Sequence, residues 1–85
     1  MKKIIETNEI CGLENLLGET VTIFCAIYIY TGKLKEIGEE SILLEEAKIV
    51  YQTGPFDNKK WEDAQALPGE WYVSKSMIES FGILK

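Results

Sequence analysis

The sequence predicts a small all-β protein: a strongly bent antiparallel sheet or barrel of about five strands, preceded by one short helix. Three observations carry that expectation. β-Branched and aromatic residues dominate residues 20–30 and alternate along the run. Gly18, Gly32 and the turn residues 38–41 keep every apolar segment short. The one stretch with helical spacing, Leu13, Leu16 and Leu17, stops at Gly18 after one or two turns.

Taken in order, residues 1–11 form an N-terminal arm or short strand with a weak apolar signal at Ile4, Ile5 and Ile10. Residues 12–18 are the helix. The run 20–30 is expected as one strand, with Val21, Ile23, Cys25, Ile27 and Ile29 on one face. Thr22, Phe24, Ala26, Tyr28 and Tyr30 stand on the other, so both faces need cover. Gly32 breaks the pattern, "KLKEI" gives the second strand, "GEES" the turn and "ILLEEAKIVYQ" the third strand. Residues 53–69 hold both prolines and mixed charge, and are expected as a long variable loop between strands three and four, with at most a helical turn around 59–67. Residues 70–84 close the chain as two short strands around Ser74, Lys75 and Ser76. The expected core is Val21, Ile23, Leu34, Ile42, Leu44 and Ile78.

At 85 residues the chain makes one domain. So short a domain buries a small fraction of its surface, and self-association is a common remedy. Glu6 and Glu9 interrupt the stretch after Lys2 and Lys3, so no signal peptide is expected. The longest apolar run, "VTIFCAIYIY", is half of the ~20 residues a membrane helix needs. Two cysteines make no disulfide framework; two reduced thiols in a cytoplasmic protein are expected, with a single Cys11–Cys25 bridge as the alternative.

Fourteen acids against nine bases give a net charge of −5, and every base is lysine. Without histidine the usual general base is missing, and without arginine the bidentate fork for phosphate and guanine is missing. A polyanion is therefore not the default partner. No catalytic triad, phosphate-binding glycine loop or CxxC pair occurs, and Cys25 has no histidine to activate it. No enzyme activity and no cofactor are expected.

The order of a short helix ending in Leu-Leu-Gly, a long strand, Gly-x-Leu and then "ILLEEAKIV" resembles the Sm and Sm-like (LSm) family, as a divergent prokaryotic or phage member. Gly18, Val21, Gly32, Leu34, Ile37, Leu44, Glu45 and Ala47 match its first motif. Tyr72-Val73, Ser74-Lys75 and Ile78 match its second, so the likeness covers residues 12–51 and 70–82. The resemblance implies an N-terminal α-helix on a bent five-stranded barrel. It also implies rings of copies, joined by the fourth strand of one and the fifth of the next. Family members that bind RNA use Asp and Asn in the turn after strand two and Arg-Gly after strand four. Here those places hold Gly38, Glu39, Glu40 and Ser41, and then Ser74 and Lys75. The RNA-reading groups are replaced, and RNA binding is expected to be weak or absent.

Gly38, Glu39, Glu40, Ser41, Ser74 and Lys75 are thus the candidate ligand loops of a pore. Trp61, in a polar loop with Lys59 and Lys60, is the candidate external contact. Glu39, Glu40, Glu45 and Glu46 have carboxylates suited to a divalent cation, but turns and solvent faces of acidic domains look the same. Adjacent strand residues also point apart, so no metal site is assigned. Trp71, Tyr72 and Phe81 are expected in a core or subunit interface rather than stacking on bases. The expected function is a non-enzymatic homo-oligomeric scaffold or protein-binding module. The alternatives are an RNA-binding ring with rewired contacts and a monomeric SH3-like adaptor.

Overall fold

The computed structural model describes residues 12–85, and the expected N-terminal arm, with Cys11, lies outside them. The chain forms a 3-10 turn, Leu13–Leu16, and then β1 (Thr20–Cys25), β2 (Ile29–Ile37), β3 (Ser41–Gln52), β4 (Asp63–Ala66) and β5 (Trp71–Ser74). A second 3-10 turn, Lys75–Met77, leads into β6 (Ile78–Gly82). These strands make one six-stranded antiparallel sheet in the order β4-β3-β2-β1-β6. β5 pairs with the first part of β3, Ser41 to Leu44, and β4 with its second part, Lys48 to Gln52.

The all-β class holds, with four corrections. First, the expected α-helix is only a 3-10 turn. Gly12 enters it at φ 99° and Gly18 follows it at φ 87°, and too few residues lie between for a 13-atom hydrogen-bond ladder to propagate. Asn15 N donates to Gly12 O instead, at 3.2 Å and three residues back.

Second, residues 20–30 are a hairpin rather than one strand. Cys25 N donates to Tyr28 O at 2.9 Å, and the chain reverses across residues 26–28. Reversal changes the parity: Ile23 now pairs with Tyr30, and both pack on the core. Ile27, assigned to the core face, is 74% exposed at the tip. A turn without Gly, Pro or Asn gave no signal to separate these two strands.

Third, the long loop contains the extra strand β4 where a helical turn was expected. Asp63–Ala66 has no β-branched residue, and its extended form comes from pairing with β3, continued by Leu67 N donating to Ala47 O at 2.8 Å. Fourth, strand pairing does not close the sheet into a barrel. Among the described residues β5 pairs only with β3 and β6 only with β1, so a three-residue turn, not a ladder, joins the two.

Two irregularities bend the β2–β3 ribbon. Between Lys33↔Glu45 and Thr31↔Lys48, β3 carries one extra residue, and between Leu34↔Leu44 and Glu36↔Leu43, β2 does. At the first, Glu46 takes φ 50°, left-handed backbone that L residues rarely adopt. Gly32 lies opposite, where a Cβ would stand 3.0 Å from Glu45 O and 3.1 Å from Ala47 Cα. Close backbone approach, not a break, is the reason for this glycine. On the same ribbon Lys35 Nζ donates to Glu70 and lies 3.8 Å from Glu45. The bond to Glu70 holds the Lys35 ammonium above its ordinary range.

Leu13, Val21, Ile23, Leu34, Ile42, Leu44, Ala47 and Val73 form the core, with Ile78, Trp71 and Phe81 half-buried against it. Five of the six expected core residues are fully buried and Ile78 packs on their margin. Two threonines are buried with them: Thr31 Oγ1 donates to Val21 O at 2.9 Å, whereas Thr22 Oγ1 has no hydrogen-bond partner among the described residues. No helix among the described residues is long and apolar enough to cross a membrane.

Candidate functional site

The two candidate loops, distant in sequence, meet at one end of the sheet. Ser41 pairs with Ser74, and Lys75 N donates to Glu40 O at 2.9 Å. The β2–β3 turn is closed by Gly38 N donating to Ser41 O at 2.8 Å. Ser74 Oγ and Ser76 Oγ share a hydrogen bond of 3.0 Å across the second turn. Glu39 and Glu40 are exposed, Ser41 and Lys75 half-buried. This end of the molecule therefore carries two exposed acidic residues, two bonded serine hydroxyls and the half-buried Lys75. Among the described residues, no three His, Cys, Asp or Glu side chains gather as a metal site.

Trp61 lies elsewhere and is half-buried. Its partner, invisible from its own neighbourhood in the sequence, is Lys85, whose Nζ stands 4.7 Å from the ring centroid. Lys48, Lys59, Lys60, Glu62 and Asp63 line a largely polar hollow beside the ring.

Sequence reasoning missed an apolar surface next to β5. Ile27, Tyr28, Tyr72 and Met77 are 74%, 47%, 67% and 41% exposed, and they line a hollow of about 230 Å³ with Cys25 and Tyr30. Tyr28 and Tyr30 meet edge to face, their centroids 6.4 Å apart. Burial pushes the Cys25 thiol and the Tyr30 phenol above their ordinary values of 9.0 and 10.0, so both are neutral at pH 7. Tyr72 alternates with buried Val73, and that alternation was the available signal.

Backbone parity shows which groups β5 and β6 offer on edges that pair with nothing among the described residues. Lys75 N–H points to β3, so by period two Tyr72 and Ser74 direct theirs to the outer edge of β5. Cys25 N–H points to β2, so Thr22 and Phe24 face β6 and engage Gly82 and Ser80. Phe81 is then left to present its backbone groups at the outer edge of β6. The chain matches no protein-family model and no curated protein.

Proposed function

We propose that the chain is an Sm-like subunit that closes into a ring with copies of itself and serves as a non-enzymatic, protein-binding scaffold in the cytoplasm. The observation that supports this most is that, among the described residues, β5 and β6 pair with nothing on their outer edges and lie on different flanks of one sheet; β4 also has an open outer edge, but exposed apolar side chains stand beside β5. Unpaired edges invite pairing with another chain, and head-to-tail pairing of two different edges generates a ring when the rotation closes. In an antiparallel ladder between them, Tyr72 would lie on the same face as Phe81 of the next copy. A phenol that is 67% exposed in one subunit would thereby cover the neighbour's core margin. The resemblance in motif order points the same way, and the acidic turns would line up as a rim that accepts donors from a protein partner.

The test is the mass in solution with and without Ser74→Pro. Ser74 already has φ −69° and its N–H points outward, so proline fits the fold and removes one edge donor. Light scattering should give a multiple of the subunit mass for the parent and a smaller species for the variant, with unchanged circular dichroism. A stable monomer of the parent at high concentration would overturn the ring and leave the monomeric SH3-like adaptor.

A further inference from the structure

We infer that the hollow between the β1–β2 hairpin tip and β5 is a binding site for a methylated ammonium group, the head of a small quaternary ammonium cation. This goes beyond the scaffold reading, because the three aromatic rings that build the site come from one copy of the chain. Tyr28 stands in the hairpin turn, Tyr30 on β2 and Tyr72 on β5, and all three line the same hollow of about 230 Å³. Met77 lines it too, and its carbonyl accepts from Ala26 N at 3.0 Å, which ties the hairpin tip to the turn before β6. A cavity of ~150 Å³ takes a benzene ring, and a trimethylammonium group is of similar size.

The lining selects the chemistry. The face of an aromatic ring carries negative charge density and attracts a cation. Tyr28 and Tyr30 meet at 64°, as two walls of a corner rather than a stack. An edge-to-face pair uses only one ring face, which leaves the others for a ligand. Tyr28 and Tyr72 are exposed, so a ligand reaches them from solvent. No lysine lines the hollow, and beyond Ser74 its rim adjoins the turn of residues 38–41, where Ser41 pairs with Ser74. Exposed Glu39 and Glu40 outnumber Lys75 there, and the whole chain carries −5, so the field favours a cation. The remaining lining is apolar, and the Ser74 hydroxyl is already bonded to Ser76. A primary ammonium is strongly hydrated and would lose its water with too few acceptors in return. A quaternary ammonium has no N–H to satisfy and spreads its charge over methyl groups, the form that aromatic cages recognise.

Tyr72 also stands beside the outer edge of β5, so in the proposed ring the next copy would run along one rim of the hollow. The probe pair is choline and 3,3-dimethylbutan-1-ol, which has choline's shape with carbon in place of the charged nitrogen. Both are titrated into the full chain and followed by two-dimensional NMR. Choline should bind with a dissociation constant on the order of millimolar, as suits a ligand of so few atoms, and shift the amides of Tyr28, Tyr30 and Tyr72. The neutral isostere should bind several-fold more weakly, the margin a cation–π contact gives. Tyr28→Leu and Tyr72→Leu keep apolar cover and remove a ring face, so each should narrow that preference. A peptide with one trimethyl-lysine, run beside its unmodified form, distinguishes the source of the group. Tighter binding than choline by the methylated peptide alone assigns it to a protein side chain, and binding no tighter than choline assigns it to a free small cation. The titration is repeated on Ser74→Pro, and binding confined to that variant supports the site and places it under the next copy. Mass in solution decides the ring separately, so either reading can fail alone. Failure of choline to bind both the parent and Ser74→Pro, equal binding of the isostere, or an undiminished preference in both leucine variants would overturn the inference.

Discussion

The Nζ atom of Lys85 sits 4.7 Å from the centroid of the Trp61 ring while donating to Thr53 O, Pro55 O and Lys60 O at 2.6, 3.0 and 2.9 Å. One ammonium thus satisfies three loop carbonyls and caps an indole face. It ties the tail after β6 to the loop before β4, and that loop has little apolar burial of its own.

Replacing Lys85 with methionine should free the loop while keeping the stem's packing. A cation–π contact near the surface is worth about 0.5–1 kcal/mol, and hydrogen bonds from a charged donor add to it. A net loss of about 1–2 kcal/mol is expected, or roughly 4–16 °C in melting temperature for a domain of this size. Trypsin should also cleave after Lys59 and Lys60 faster than in the parent. Unchanged cleavage would show that the tail does not hold the loop.

The second prediction concerns the bulge. Gly32→Ala places a methyl 3.0 Å from Glu45 O and 3.1 Å from Leu44 Cβ, and backbone cannot move as the end of a side chain does. Overpacking of this kind costs about 1–3 kcal/mol. Glu46→Gly should act in the opposite direction, since Glu46 holds φ 50° and glycine relieves a left-handed penalty of about 1 kcal/mol. Urea titration of both variants checks the signs. A neutral Gly32→Ala would mean that the ribbon is not closely packed there.

Legibility followed local chemistry. Val21, Ile23, Leu34, Ile42 and Leu44 were readable because short apolar alternation between turn residues fits a half-buried strand and little else. The meeting of residues 38–41 with 74–75 is set by the β3–β5 ladder, a long-range pairing that alternation alone does not specify. The hairpin at residues 26–28 was not readable, because "CAIY" lacks turn residues and both halves share one composition. β4 was not readable either, since its extension is imposed by β3 from outside. Nor was the Lys85–Trp61 contact, assembled from segments far apart in the chain.

A third prediction follows from burial of Cys25. Below pH 9 the thiol is protonated both folded and unfolded, and stability is flat with respect to it. Because burial raises the folded value above 9.0, the unfolded thiol ionises first as pH rises, and stability falls from about pH 9 upward. Tyr30, also raised by burial, extends the decline above 10.0. Cys25→Ala should lower stability at pH 7 through lost packing and flatten the curve between pH 8 and the onset of the tyrosine limb. Urea unfolding across that range decides it; parallel curves for parent and variant would assign the alkaline loss elsewhere.

The last prediction concerns RNA. In a ring, the turn of residues 38–40 and the junction at Ser74 and Lys75 would repeat together in every copy, because Lys75 N is bonded to Glu40 O. Two exposed carboxylates per copy, Glu39 and Glu40, then outnumber the single Lys75 ammonium, and no guanidinium is present in the chain. Phosphates within a Debye length, about 8 Å at physiological salt, experience net repulsion. Oligo-U and oligo-A should therefore bind no tighter than the non-specific range of roughly 10⁻⁴ to 10⁻⁶ M. The double change Glu39→Gln with Glu40→Gln should strengthen that binding, most visibly at low salt. Fluorescence anisotropy of labelled oligonucleotides measures both. Sub-micromolar binding by the parent that weakens on Lys75→Ala would identify this end of the sheet as an RNA site despite its charge.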